Sequence, residues 1–136
     1  MIWNLVEDVE RRLAGRMEAL VKNEAAYLAA LRAYLAQAAA EMESDELRVE
    51  VNTRDYRLLA DRWDALVAEA APGKTVRLVE APIETLGGMR VSSTDERIRV
   101  DNTFEGRLER LRQRIQQVIL ERLLPGGLET GNLYGG

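Results

Sequence analysis

Between Leu47 and Asn52 the chain reads LRVEVN, with Leu47, Val49 and Val51 on one side and Arg48, Glu50 and Asn52 on the other. A period of two belongs to a strand with one buried face. On both sides of it the apolar spacing is helical. Upstream, Ile2, Val6, Val9, Leu13, Met17 and Leu20 recur at steps of three and four, and Leu28, Leu31, Leu35, Ala38 and Met42 form a second stripe in an Ala-rich stretch. Downstream, Phe104, Leu108, Leu111, Ile115 and Val118 do the same. A chain whose hydrophobic period falls to two and returns is neither all helical nor all strand. The expectation is an α+β fold: an N-terminal helical extension plus a small, mostly antiparallel four-stranded sheet packed against helices.

The remaining elements follow from local chemistry. Asn52 or Thr53 is placed to cap a helix reaching about Ala70, with Leu59, Trp63, Leu66 and Ala70 on its inner face, stopped by Pro72 and Gly73. Thr75–Glu80 alternates as a second strand, and residues 81–86 connect it to a hairpin at 88–93 and 97–101. Met89, Val91, Ile98 and Val100 are expected to face inward. The turn between them has no Gly, which favours a longer turn built on Thr94 and Asp95. NTFE then opens the last helix, with Asn102 as cap, Glu105 three residues later as its reciprocal partner, and Asp101 as a negative charge at the helix start. Pro125 and Gly126 end it. The first helix has no capping residue before its stripe, as though its start lay outside this chain. The expected division is residues 1–22 as the end of a projecting N-terminal helix, 23–124 as a globular domain and 125–136 as a flexible tail.

Composition narrows the chemistry. Of 136 residues, 46% are hydrophobic and 31% charged, so there is apolar surface enough to offset ordering entropy. The net charge of −4 argues against coating nucleic acid or anionic lipid. There is no Cys and no His, which removes disulfides, thiolate metal sites and the commonest general base. No apolar run has the length of a membrane span, and the N-terminus lacks a basic leader followed by an apolar stretch. These features fit a cytoplasmic protein without cofactor, metal or direct membrane insertion.

Each charged cluster has a structural reading beside a functional one. Asp95, Glu96 and Asp101 are the candidates for paired carboxylates in acid–base work, but the first two sit in a wet turn and the third at a helix start. Gly87 and Gly88 precede a strand, whereas a phosphate cradle precedes a helix; backbone freedom is the better account. The Arg-rich helix 107–122 interleaves Glu109 and Glu121 with its arginines, as a solvated face does, and suits an acidic protein surface better than nucleic acid. Tyr27 and Tyr34, seven apart, border a core or anchor a partner.

The stretch VRLVEAPIETLGGMRVSSTDERIRVDNTFEGRLERLRQRI resembles the C-terminal domain of the E subunit of the V-type and A-type rotary ATPases. The residues that carry the likeness are Gly87-Gly88 before the hairpin and Val100-Asp101-Asn102-Thr103-Phe104 followed by Arg107-Leu108; LRVEVNTRDYRLLA matches the family's first strand and capped helix. The likeness covers about residues 24–124. Two departures stand out. The family's hairpin turn carries Asp-Gly where this chain has Thr94-Asp95-Glu96, and its N-terminal helix is much longer.

The resemblance implies a non-catalytic stator component. It would pair with the G subunit as a coiled coil in the peripheral stalk, grip the catalytic head at the B subunit and resist rotor torque, peripheral to a membrane-bound complex. On that reading Asp101, Asn102 and Glu105 are structural, and Ile2, Val6, Val9, Leu13 and Met17 face the partner helix. The nearest rival is the related stator and regulator of a type III export ATPase. A small enzyme with an unrecognised site is the rival from another class, and a homodimer through the first helix is a further state for the isolated chain.

Overall fold

The structure, a computed structural model, describes the backbone of residues 2–124 and the side chains from Asn4 onward. Residues 125–136, expected as a tail, lie outside the described residues, as do Pro125 and Gly126 and the side chain of Ile2.

Helix α1 (Ile2–Lys22) ends where Asn23 begins α2 (Glu24–Glu41): the Asn23 Oδ1 accepts from the Ala26 N–H at 3.2 Å. Strand β1 (Glu46–Glu50) is followed by α3 (Thr53–Leu59), capped by Asn52, whose Oδ1 accepts from the Asp55 N–H at 2.7 Å. The single helix expected to Ala70 is interrupted. A 3₁₀ turn at Ala60–Arg62 leads into α4 (Trp63–Ala70), with Arg62 leaving helical geometry at φ −122° and ψ 11°. The inward residues are nonetheless as expected: Leu59, Trp63 and Leu66 are buried, and Ala70 packs against them.

Strands β2 (Thr75–Leu78), β3 (Gly88–Ser93) and β4 (Arg99–Thr103) complete a sheet in the order β2-β1-β3-β4. The crossover through α3 and α4 makes β2 parallel to β1, while β1–β3 and β3–β4 are antiparallel. Helix α5 (Phe104–Leu123) follows β4 without a gap.

The helices cover one face. Val49 and Val91 are opposite each other in the ladder and fully buried, and Leu47 and Met89 on the same two strands are also buried. Over them lie Leu31, Leu35 and Ala38 of α2, all at 0% exposure. At the start of α2 it is Tyr27 that turns inward, at 1% exposure, and Leu28 that stays at the margin. The opposite sheet face is polar, with ion pairs from Arg48 to Glu96 at 2.8 Å and from Arg90 to Glu50 at 3.0 Å.

Ile98 departs from expectation: it is 48% exposed. It precedes the last pair of the β3–β4 ladder, Ser92↔Arg99, and so lies past the end of the covered face. The turn before it is built on Asp95, whose Oδ1 accepts from the Arg97 N–H (3.1 Å) and the Ser93 hydroxyl (2.5 Å). Glu96 takes the left-handed conformation at φ 60°.

Candidate functional site

The β4–α5 junction is assembled differently from the expected capping box. The cap of α5 is Thr103, whose hydroxyl accepts from the Gly106 N–H at 3.1 Å. Asn102 is instead a buried strand residue at 0% exposure, opposite Met89. The bonds Ser93 N–H to Ile98 C=O and Phe104 N–H to Gly87 C=O set the phase of the ladder. They place the backbone of residue 102 toward β3, so its N–H is not free for a reciprocal partner. The Asn102 side chain works across elements. Its Nδ2 donates to the Tyr34 carbonyl (3.0 Å), and its Oδ1 accepts from Arg110 (3.0 Å).

Glu105 turns outward from the cap and accepts from the Thr85 hydroxyl and from the Leu86 N–H at 3.0 Å. Asp101 does sit at the helix start. Its Oδ1 accepts from the Thr103 N–H (3.0 Å) and hydroxyl (2.5 Å). Gly106 leaves room for it, since a Cβ there would lie 2.4 Å from the Asp101 Cγ. The three carboxylates considered for acid–base chemistry are each engaged locally: Asp95 within the turn, Glu96 with Arg48, Asp101 with Thr103. The hydrogen bond from Ser93, then that from the Arg97 N–H, holds the Asp95 carboxyl below its ordinary range.

A polar knot that sequence spacing does not reveal fastens the connection ahead of the hairpin. Tyr27 donates its hydroxyl hydrogen to Asp55, which is fully buried, and accepts from the Gly88 N–H at 2.9 Å. Arg54 donates to Asp55 at 3.0 Å and to the Leu86 carbonyl at 2.8 Å, while Asn52 donates to the Thr85 carbonyl at 2.9 Å. With Glu105, side chains from α2, α5 and the start of α3 therefore hold residues 85–88. Burial, reinforced by the bond to Asp55, pushes the Tyr27 phenol well above its ordinary value. Among the described residues no buried side-chain oxygen or nitrogen lacks a partner. In sequence, Asp55 reads only as an acid in the first turn of a helix, and nothing ties it to a tyrosine 28 residues away.

Both edges of the sheet are blunted by side chains. In β2 the bonds from the Thr75 and Val79 N–H groups to β1 put the backbone of Val76 on the outer edge. Its carbonyl accepts from the Trp63 indole at 2.8 Å. In β4 residues 99, 101 and 103 face outward. The Asp101 carbonyl accepts from Arg110 at 2.6 Å, and the Thr103 N–H is taken by Asp101. Each edge thus has part of its outward backbone occupied, which makes it a poorer template for another strand.

The α1 stripe expected to face a partner is largely covered by the chain itself. Val6 is 3% and Met17 6% exposed, Leu13 packs on the core and Val9 is half-buried. The reason is that α1 folds back against α2 and α5, with Glu10 accepting from Arg112 at 2.5 Å. Exposed apolar side chains lie elsewhere on the same two helices: Leu5 on α1, and Val118, Leu120 and Leu123 near the end of α5. Among the described residues no helix is long and apolar enough to cross a membrane.

Comparison with known proteins bears on what such a domain belongs to. The profile of the family described as ATP synthase (E/31 kDa) subunit matches residues 3–124. The V-type ATP synthase E subunit of Nitrosococcus oceani is 44% identical over 128 residues, covering 93% of this chain and 60% of that protein. The A-type ATP synthase E subunit of Pyrococcus horikoshii is 33% identical over 123 residues, covering 90% of this chain and 58% of the relative. That of Pyrococcus furiosus is 32% identical over 118 residues, covering 87% and 58%. The chain thus spans about 60% of the length of these relatives. With the profile covering nearly all of the described residues and the hairpin–helix junction in place, this chain belongs to the ATP synthase (E/31 kDa) subunit family, the E subunits of V-type and A-type enzymes.

Proposed function

We propose that this chain is the head-binding end of a peripheral stalk. It tethers the catalytic head of a proton-translocating rotary ATPase through the B subunit, pairs with the G subunit, and performs no catalytic step itself. Its place is cytoplasmic, peripheral to the membrane-bound complex. Membership in the E-subunit family across residues 3–124 carries this reading. The architecture is consistent with it: a tether under load needs elements that do not slide, and the 85–88 connection is bonded to three helical elements at once. With part of each sheet edge occupied, helix faces and loops are favoured over strand addition for contact with partners.

The test is co-purification of this chain with a G-type helical partner and with the isolated B subunit of the same enzyme. Retention of both is expected, with a stronger B interaction when the G-type partner is present. Failure to retain either, or recovery of an export ATPase in their place, would end this reading.

A further inference from the structure

Four arginines of this acidic chain line one groove. It is an open trough of about 550 Å³ between α1, α2 and α5. Leu13, Met17, Phe104, Leu108 and Leu111 contribute apolar lining, and Arg16, Arg107, Arg110 and Arg114 contribute four positive charges. Among the described residues no carboxylate lines it, although the whole chain carries more acids than bases. Three of the arginines, 107, 110 and 114, follow a helical step along α5, and the outer two are separated by a rise of about 10 Å. Arg16 adds a charge from α1.

These arginines are not all occupied. Arg110 is held by the Asp101 carbonyl and Asn102, and Arg107 lies over the Tyr34 ring at 4.6 Å. Arg16 and Arg114 make no ion pair or side-chain hydrogen bond among the described residues. Like charges gathered without counter-charge disfavour the free state and favour a partner that supplies it.

We propose that this groove docks an amphipathic helix of a partner protein, one whose apolar stripe seats on Leu13, Leu108 and Leu111 and whose flanking carboxylates pair with Arg16, Arg107 and Arg114. The spread of charge along a helical step fits carboxylates repeating at three- and four-residue intervals on a facing helix. A compact anion would need the arginines gathered around one point. The open trough with apolar side chains suits a helix face, as in helix-in-groove recognition. The proposal rests on the stalk assignment only in taking the occupant to be a protein.

The probe is a designed helical peptide of about 21 residues, roughly the length of α5, with Leu at the seam and Glu on both flanks. It is compared with a twin carrying Lys for every Glu. Fluorescence anisotropy with the full chain should show binding of the Glu peptide and at least about tenfold weaker binding of the Lys peptide, with affinity falling as salt rises. The double variant Arg16→Glu/Arg114→Glu should lose about tenfold or more for the Glu peptide. Neither side chain supports a neighbour, so circular dichroism should show an unchanged fold. Arg77→Glu, the same kind of substitution placed on β2 away from the groove, should bind as the parent does.

Equal affinity for the two peptides, no binding of either, or an unaffected double variant would overturn the proposal. So would displacement of the peptide by equimolar pyrophosphate, which indicates a small-anion site. A dimer of the chain alone that the double variant dissolves would also overturn it, since the groove would then hold a second copy. Binding of the Glu peptide by a chain that captures neither a G-type partner nor the B subunit supports the groove while removing the stalk assignment.

Discussion

The hydroxyl of Tyr27 donates to the buried carboxylate of Asp55 and accepts from the backbone N–H of Gly88, joining α2, α3 and β3 at one oxygen atom. Residues 28 and 61 positions away in the chain meet there. Tyr27→Phe keeps the ring and removes that atom, leaving a buried carboxylate oxygen and a buried N–H without this partner. An unsatisfied buried group costs roughly 1–3 kcal/mol, so a loss of about 3 kcal/mol is expected. Urea denaturation at neutral pH measures it, and a change below about 1 kcal/mol would show that the knot contributes little.

The same atom dictates an alkaline limit. The folded-state pKa of Tyr27 is raised, by burial first and then by Asp55, above the unfolded value of about 10. A group shifted upward contributes its stability in full below the unfolded pKa and loses it as pH rises toward the folded one. Stability should therefore fall above about pH 10, and the fall should be smaller in Tyr27→Phe. Phenolate absorbance should show one tyrosine titrating only together with unfolding.

Gly73 and Gly88 share nearly the same backbone angle, φ 84° and 85°, in different surroundings. A Cβ on Gly73 meets nothing within 4 Å; one on Gly88 would lie 2.3 Å from the Asn102 carbonyl oxygen. Gly73→Ala should cost about 1 kcal/mol from the left-handed conformation alone. Gly88→Ala should cost at least about 2 kcal/mol more, since backbone must move. Melting curves of the pair isolate the clash from the conformational strain.

Thr103→Ala and Asn102→Ala separate a cap from a cross-link. Loss of the Thr103 hydroxyl removes a helix cap, an effect of about 1 kcal/mol. Asn102→Ala leaves a cavity and strips a partner from the Tyr34 carbonyl and from Arg110. It should destabilise by more, about 2–3 kcal/mol. The reverse order in denaturant titrations would return the cap to Asn102.

Glu96 occupies the left-handed position of the hairpin turn at φ 60°. Glu96→Gly relieves roughly 1 kcal/mol of backbone strain and gives up an ion pair with Arg48 whose glutamate is largely exposed. A net stabilisation of about 0.5 kcal/mol is expected, growing at high salt where the lost pair matters less. Thermal melts at low and high ionic strength check both parts.

Periodicity and punctuation make most of the fold legible in the sequence. Leu47, Val49 and Val51 alternate because a strand presents every second side chain to the core, Asn52 marks a helix start through its side-chain oxygen, and Pro72-Gly73 marks a helix stop through backbone geometry. The β4–α5 junction is legible too, but its cap lies one residue later than the spacing implies. Asn102, Thr103 and Asp101 all have capping side chains, and only the ladder's hydrogen-bond phase decides that the backbone of Asn102 faces β3.

What only the tertiary structure decided is which apolar and polar groups find each other across the chain. The α1 stripe is a helix face in any context, but folding back against α2 and α5 turned Val6 and Met17 inward. Tyr27, Asp55 and Gly88 carry no common signal because their link is one of space, made when α2 lies across the sheet. Local pattern is set by side-chain geometry within a few residues. Long-range pairing is set by how the elements pack, and single positions carry little trace of it.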